Sequence, residues 1–280
     1  MKLASYMVDG KATFGVVAGD SIINATRCLD GRFSTLRQVL AADALDEVAR
    51  VTTGQAPDHK LSDFKFLPVV PDPQRIVCVG INYRSHAEET GREISPAPSV
   101  FLRLADTLVG HGSALVRPKV SDKFDFEGEL AVVIGHGGRH IAQADALKHV
   151  AGYTCFVDGS VRDYQKFSVT SGKNFPATGP LGPVLVTTDE IPDPTKLTLV
   201  TRLNGAEMQR SGTDMLIYSI PQVIKFISDF TSLAAGDVIA TGTPAGVGHR
   251  RTPPVWMKAG DVLEVEISGI GTLRNPVVDE

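Results

Sequence analysis

The chain has 280 residues, a formal net charge of −4 at pH 7, 42% hydrophobic and 21% charged residues, fractions that exclude a disordered or fibrous chain. Mild acidity without Lys/Arg-rich tracts excludes a general nucleic-acid binder. No apolar run approaches the roughly 18–20 residues needed to cross a bilayer, so we expect a cytoplasmic protein with no membrane partner. The 27 Gly and 17 Pro, against 12 Phe, 5 Tyr and 1 Trp, point to many short strands and ordered loops rather than a helix bundle.

In chain order, Ala4 to Val8 and Lys11 to Val17 flank Asp9-Gly10, a pair suited to the type I′ turn of a hairpin. Ser21 to Asn24 reads as a third strand. Leu36, Val39, Leu40 and Leu45 fall at helical spacing behind Ser34 as N-cap, which predicts one helix over about Thr35 to Arg50. A polar stretch and then Pro68, Pro71 and Pro73 suggest a boundary near residue 70. Residues 1–70 are thus expected to form a small N-terminal αβ domain, and 71–280 a β-rich α+β domain.

Arg75 to Gly80 predicts a strand, and Asn82 to Gly91 a short helix or mobile loop. Val100 to Arg103, Leu130 to Gly135, Tyr153 to Asp158, Val184 to Thr187 and Leu197 to Asn204 continue the strand series. A short helix is expected around Asp145 to Val150, and Lys173 to Pro183 reads as a Gly/Pro loop. Ile220, Val223, Ile224 and Ile227 form an apolar helical stripe with Pro221 in the first turn, where its missing donor does little harm. Gly236-Asp237 and Gly260-Asp261 start the last two strands. Cys28, Cys78 and Cys155 lie too far apart for a close-spaced zinc or dithiol motif and read as small buried apolar residues.

The sharpest local feature is Asp125-Phe126-Glu127-Gly128-Glu129, leading into the apolar run Leu130 to Ile134. Because side chains alternate along a strand, Asp125, Glu127 and Glu129 are expected to point one way and Phe126 the other. The following run does not alternate and reads as buried on both faces, so the carboxylates would repel one another unless a proton or cation compensates. Asp158, ending the apolar run Tyr153 to Val157, is a candidate third ligand. Three carboxylates without His or Cys favour a hard cation, Mg²⁺ or Mn²⁺, with open positions for water or substrate oxygens.

Gly80-Ile81-Asn82-Tyr83 with His86 and Glu89, then Phe126-Glu127-Gly128-Glu129-Leu130, resembles the fumarylacetoacetate hydrolase superfamily. Gly152-Tyr153-Thr154 through Asp158, Arg162 with Gln165, Gly172-Lys173, Asn204-Gly205 and Thr241-Gly242-Thr243-Pro244 extend the resemblance in the same order over about residues 70–278. It implies a mixed β-sheet roll of the acylpyruvase or 2-hydroxyhepta-2,4-diene-1,7-dioate isomerase branch, assembled as a homodimer. It also implies that Glu127, Glu129 and Asp158 bind one Mg²⁺ or Mn²⁺, which chelates a 2-oxo acid. His86 and Glu89 then correspond to the family's base and its partner on a lid, and Lys173 to a residue near the developing enolate. Arg162, Gln165 and Thr241, Gly242, Thr243 correspond to substrate-binding positions. Many relatives have Lys where this chain has Arg103, which either reads a second substrate carboxylate or pairs with a surface acid, and many have Asn where it has Val157.

The activity so implied is a metal-dependent hydrolase cleaving a C–C bond in a 2,4-dioxo acid of aromatic catabolism. The alternatives on the same site are an oxaloacetate-type decarboxylase, a 2-oxo-acid double-bond isomerase, or a catalytically silent metal- or ligand-binding protein.

Overall fold

In the computed structural model, which describes all 280 residues, Asp9 and Gly10 have φ of 48° and 72° and join the strands Lys2–Val8 and Lys11–Ala18. This is the left-handed geometry that a type I′ hairpin demands of both turn residues. The single helix expected over residues 35–50 is two, Leu36–Ala41 and Leu45–Thr52. Asp43 is left-handed at φ 52°, and Asp43 and Ala44 donate back to Leu40 and Val39, closing the first helix before the second starts. Thr35 rather than Ser34 is its N-cap, accepting from the Gln38 N–H.

Residues 1–70 have no core of their own. Lys2–Val8 pairs antiparallel with Gly179–Thr187 through Lys2↔Val186 and Leu3↔Leu185, which joins the N-terminal hairpin, with Ser21–Asn24 and His59–Lys60 beyond it, to a 12-stranded sheet. From Gly179–Thr187 the sheet continues through Val150–Val157, Gly128–Ile134, Val238–Ala240 and Ile76–Gly80 to an edge strand, Ser99–Arg103. The helices Leu36–Ala41 and Leu45–Thr52 pack Leu36, Val39, Leu40 and Val48 into one buried cluster with Ile76, Cys78, Val133 and Val238. The expected division at residue 70 is therefore a boundary in sequence but not between cores.

Gly128–Ile134 is buried along its whole length. Leu130, Val132 and Ile134 enter one apolar cluster, Ala131 and Val133 the other, as alternation requires of a central strand covered on both sides. A five-stranded sheet built on Thr198–Leu203, Val262–Ile267 and Gly271–Asp279 supplies Leu199, Leu263, Val265 and Leu273 to the first cluster. The sheets approach so closely at Gly128 that a Cβ there would lie 2.1 Å from Thr201 Oγ1.

That approach also breaks the acidic segment. Phe124–Asp125 pairs with Ser160–Val161 in a separate ribbon, while Gly128–Ile134 pairs with Val150–Val157, so Asp125 does not share a strand face with the two glutamates. Two other expectations change: residues 143–149 form a 3₁₀ helix, and Gly179–Thr187 begins inside the expected Gly/Pro loop. Of the two readings of Asn82 to Gly91 the helix holds, as Arg84–Thr90 closed by left-handed Gly91. The stripe around Ile224 forms the helix Ile220–Phe230 with Ser219 and Gln222 as a capping box.

Candidate active site

Glu127, at the break before the central strand, Glu129 on that strand, and Asp158, just past the end of its antiparallel neighbour, come together because Gly128 pairs with Val157. All three carboxylates are buried and offer oxygens within 4.8 Å of one another. They face a cavity of about 160 Å³.

Three cationic side chains meet these acids. Lys173 Nζ bridges Glu127 Oε2 at 2.5 Å and Asp158 Oδ2 at 2.6 Å. Arg162 donates to Glu127 Oε1 at 2.6 Å and to Asp125 Oδ2 at 2.7 Å. Arg103 donates to Asp158 Oδ1 at 2.6 Å, to Gly159 O and to Thr178 Oγ1. With Asp125, four buried carboxylates face three cations, which leaves one negative charge unmatched.

The imbalance falls on Glu129, whose carboxyl accepts only from the Gly242 N–H, at 2.9 Å. Burial, and then the Asp158 and Glu127 charges, hold its carboxyl well above the ordinary range. Burial pushes Glu127 the same way, but Lys173 and Arg162 outweigh it and hold that carboxyl well below. A pocket of carboxylate oxygens with surplus negative charge fits a hard divalent cation, and the residues present suit Mg²⁺ or Mn²⁺.

Across the cavity, His86 is buried on the Arg84–Thr90 helix, with Nδ1 3.1 Å from Glu89 Oε2. The other Glu89 oxygen accepts from the Gly246 N–H at 2.9 Å. The carboxylate thus orients the imidazole and ties the helix to the loop after Thr243. Asn82 anchors the start of the helix, donating to Thr241 O and Tyr218 O and accepting from Tyr218 N–H. Gly242, at φ 104°, lies where a Cβ would stand 2.8 Å from Asn82 Cβ, so only glycine lets these segments meet.

His86, Lys173, Arg162, Gln165 and Thr243 line the cavity with the triad. Arg103, Thr241 and Gly242, expected at substrate-binding positions, are not among the residues that line the cavity. The Arg103 side chain is fully buried behind Asp158, and its partner is an interior acid rather than a surface one. Thr241 spends its N–H and hydroxyl on Leu130 O, and Gly242 spends its N–H on Glu129, so this part of the loop holds the acidic strand in place.

Sequence reasoning missed Gln209, which bridges the two sheets: it accepts from the Gly128 N–H and donates to Thr243 Oγ1 and Pro244 O. It also missed Arg92, His249 and Arg250 in the cavity wall. The His249-Arg250-Arg251 cluster is visible in the sequence, but nothing local ties it to the acids.

The family model described as "Fumarylacetoacetate (FAA) hydrolase C-terminal" matches residues 75–278. The chain belongs to this family. The oxaloacetate tautomerase YisK of Bacillus subtilis is 43% identical to this fumarylacetoacetate hydrolase family member over 227 residues, covering 78% of this chain and 75% of that protein. A bovine (Bos taurus) protein named oxaloacetate tautomerase FAHD2A, mitochondrial, is 40% identical over 238 residues, covering 84% and 76%. The crystal structure of maleylpyruvate hydrolase from Sphingobium sp. SYK-6 with manganese(II) and pyruvate matches with a TM-score of 0.84 at 28% identity, covering 100% of this chain and 99% of that one. Relatives in this family thus include both tautomerases and hydrolases. No helix of this chain is long and apolar enough to cross a membrane.

Proposed function

We propose that this chain is a Mg²⁺- or Mn²⁺-dependent enzyme that moves a proton within a 2-oxo acid, interconverting the enol and keto forms of oxaloacetate or a close analogue. The observation that carries this reading is one small cavity with the carboxylate triad on one wall and a carboxylate-oriented imidazole on another. Relatives named oxaloacetate tautomerase, at 40% and 43% identity, support it over C–C hydrolysis, the first reading of the sequence. So does the lining. Its only apolar side chains are Val79, Ile81, Phe101 and Val169, little for the acyl tail of a larger dioxo acid.

Bound to Glu127, Glu129 and Asp158, the cation would draw electron density from the carboxylate and oxo oxygens of the substrate and so acidify its C3. With Nδ1–H donated to Glu89, His86 keeps its lone pair on Nε2, where it accepts the C3 proton of the keto form and returns it to the enol form. In the keto-to-enol direction the C2 oxygen takes a proton from water and the imidazolium gives one up to water, and the reverse direction runs both exchanges backwards, so the conversion needs no other reactant. Lys173 holds Glu127 and Asp158 at fixed spacing, and Arg162 fixes Glu127 from the other side. The homodimer belongs to the same proposal: Leu102 and Leu104 are exposed on and just after Ser99–Arg103, the last strand of the sheet, and sedimentation is expected to return the dimer mass.

The test is to follow the decay of enol-oxaloacetate absorbance with purified protein, with and without EDTA. Acceleration that EDTA abolishes and Mn²⁺ restores is expected. Release of CO₂ would reassign the site to decarboxylation, and cleavage of acylpyruvates without any effect on enol decay would reassign it to hydrolysis.

A further inference from the structure

The cationic groups around the cavity fall into two sets. Arg103, Arg162 and Lys173 are saturated by the chain's own carboxylates. Arg92 and Arg250 line the same cavity, are exposed at its mouth, and form no ion pair with any carboxylate of the chain.

Both are held at one place, the C-terminal end of the helix that carries His86. Arg92 follows left-handed Gly91, and its N–H returns to Ala87 O at 3.0 Å while that of Gly91 returns to Glu88 O, so the backbone under it is a closed helix cap rather than a free loop. Arg250 ends the turn Gly248–Arg250 and donates through Nη2 to Thr90 O at 3.1 Å. That bond occupies one of its five guanidinium donors. Two positive groups therefore converge within two residues of each other's anchor, with most of their donors free. A cation at a helix C-terminus is favourable by itself. That accounts for one guanidinium, and for its bond to Thr90 O, but not for a second one at the same mouth.

We propose that Arg92 and Arg250 form an anion subsite that takes the distal carboxylate of a short 2-oxo dicarboxylic acid whose carboxylate–oxo end lies at Glu127, Glu129 and Asp158. The inference rests on the function proposed above and narrows its substrate class. A substrate ending in an alkyl or aryl group would leave both guanidiniums without a counter-charge, whereas a carboxylate accepts from them bidentately. Selection between the two classes is thus made at the mouth, and the chemistry at the triad.

The experiment is calorimetric and needs no turnover. Two ligands that cannot enolise are titrated into Mn²⁺-loaded protein: 3,3-dimethyl-2-oxosuccinate and 3,3-dimethyl-2-oxobutanoate, which differ by a methyl in place of one carboxylate. The wild-type chain is expected to bind the dicarboxylate at least tenfold more tightly. The double variant Arg92→Ala/Arg250→Ala is expected to bring that ratio close to one, and Arg250→Lys to keep part of it. Equal binding of both ligands by wild type, or a ratio unchanged in the double variant, overturns the subsite while leaving the triad's role standing. Binding of neither ligand by Mn²⁺-loaded wild type overturns the functional reading as well.

Discussion

Arg103 and Lys173 grip opposite oxygens of Asp158, each at 2.6 Å, yet they do different work. Lys173 lines the cavity, whereas Arg103 lies behind it and spreads three donors over Asp158, Gly159 and Thr178. A lysine at position 103 keeps the charge but cannot reproduce the planar fork. Arg103→Lys should therefore weaken Mn²⁺ binding by about 10–100-fold, as losing an orienting partner of a ligand does, with activity recovering at high Mn²⁺; calorimetric titration of the metal checks it. His86 touches no triad member through the protein, so His86→Gln should leave Mn²⁺ affinity intact and lower kcat by about 10²–10⁴-fold, the usual worth of a positioned base. A parallel loss of metal affinity would mean that the imidazole belongs to the cation site.

Between elements, the decisive contact is the one between sheets at Gly128. Gly128→Ala would press a methyl onto Thr201 Oγ1 and should cost about 1–3 kcal/mol in urea unfolding, with weaker metal binding because Glu127 and Glu129 flank it. Adding Thr201→Ala should recover part of that loss, a coupling that a double-mutant cycle measures. Asp58 makes a second such link. It accepts from the Asn24 N–H and pairs with Arg27, tying the loop after the helix Leu45–Thr52 to the third strand. Burial raises its pKa, but the Arg27 and Asn24 bonds and the Arg27 charge outweigh this and hold the carboxyl below its usual value. A depressed carboxyl stabilises the fold above its unfolded pKa and loses that contribution as pH falls through the folded one. The stability gap between wild type and Asp58→Asn should therefore be full at about pH 5–7 and shrink steadily below about pH 4. A gap constant down to pH 2 would rule the ion pair out as its source.

Across the whole molecule, the N-terminal quarter is structural flooring for the rest. Deleting residues 1–70 would strip Gly179–Thr187 of its neighbour Lys2–Val8 and expose the cluster that Leu3, Phe14, Leu36 and Val48 share with Cys78, Ala131 and Val133. The truncated chain should be insoluble or lack a cooperative thermal transition by circular dichroism, although the family match begins only at residue 75. A soluble, cooperatively folding 71–280 fragment would restore the two-domain reading.

Much of this was legible in the sequence. The Asp9-Gly10 hairpin, the amphipathic helix over Ile220–Phe230 and the doubly buried strand after Glu129 are local in origin, since turn chemistry and side-chain period act over a few residues. The triad was legible too, because acids at the mouth of an apolar strand need a cation, and the ordered motifs of a family point to Asp158 as the third. Tertiary structure alone decided what lies between elements. It placed Asp125 on a separate ribbon, joined to Glu127 only through Arg162, put Arg103 behind Asp158, brought Gln209 across from the second sheet, and gathered Arg92 and Arg250 at one mouth from positions 158 residues apart. Such partnerships depend on which surfaces meet when the sheets pack, and no periodicity within a segment records the segment it will face.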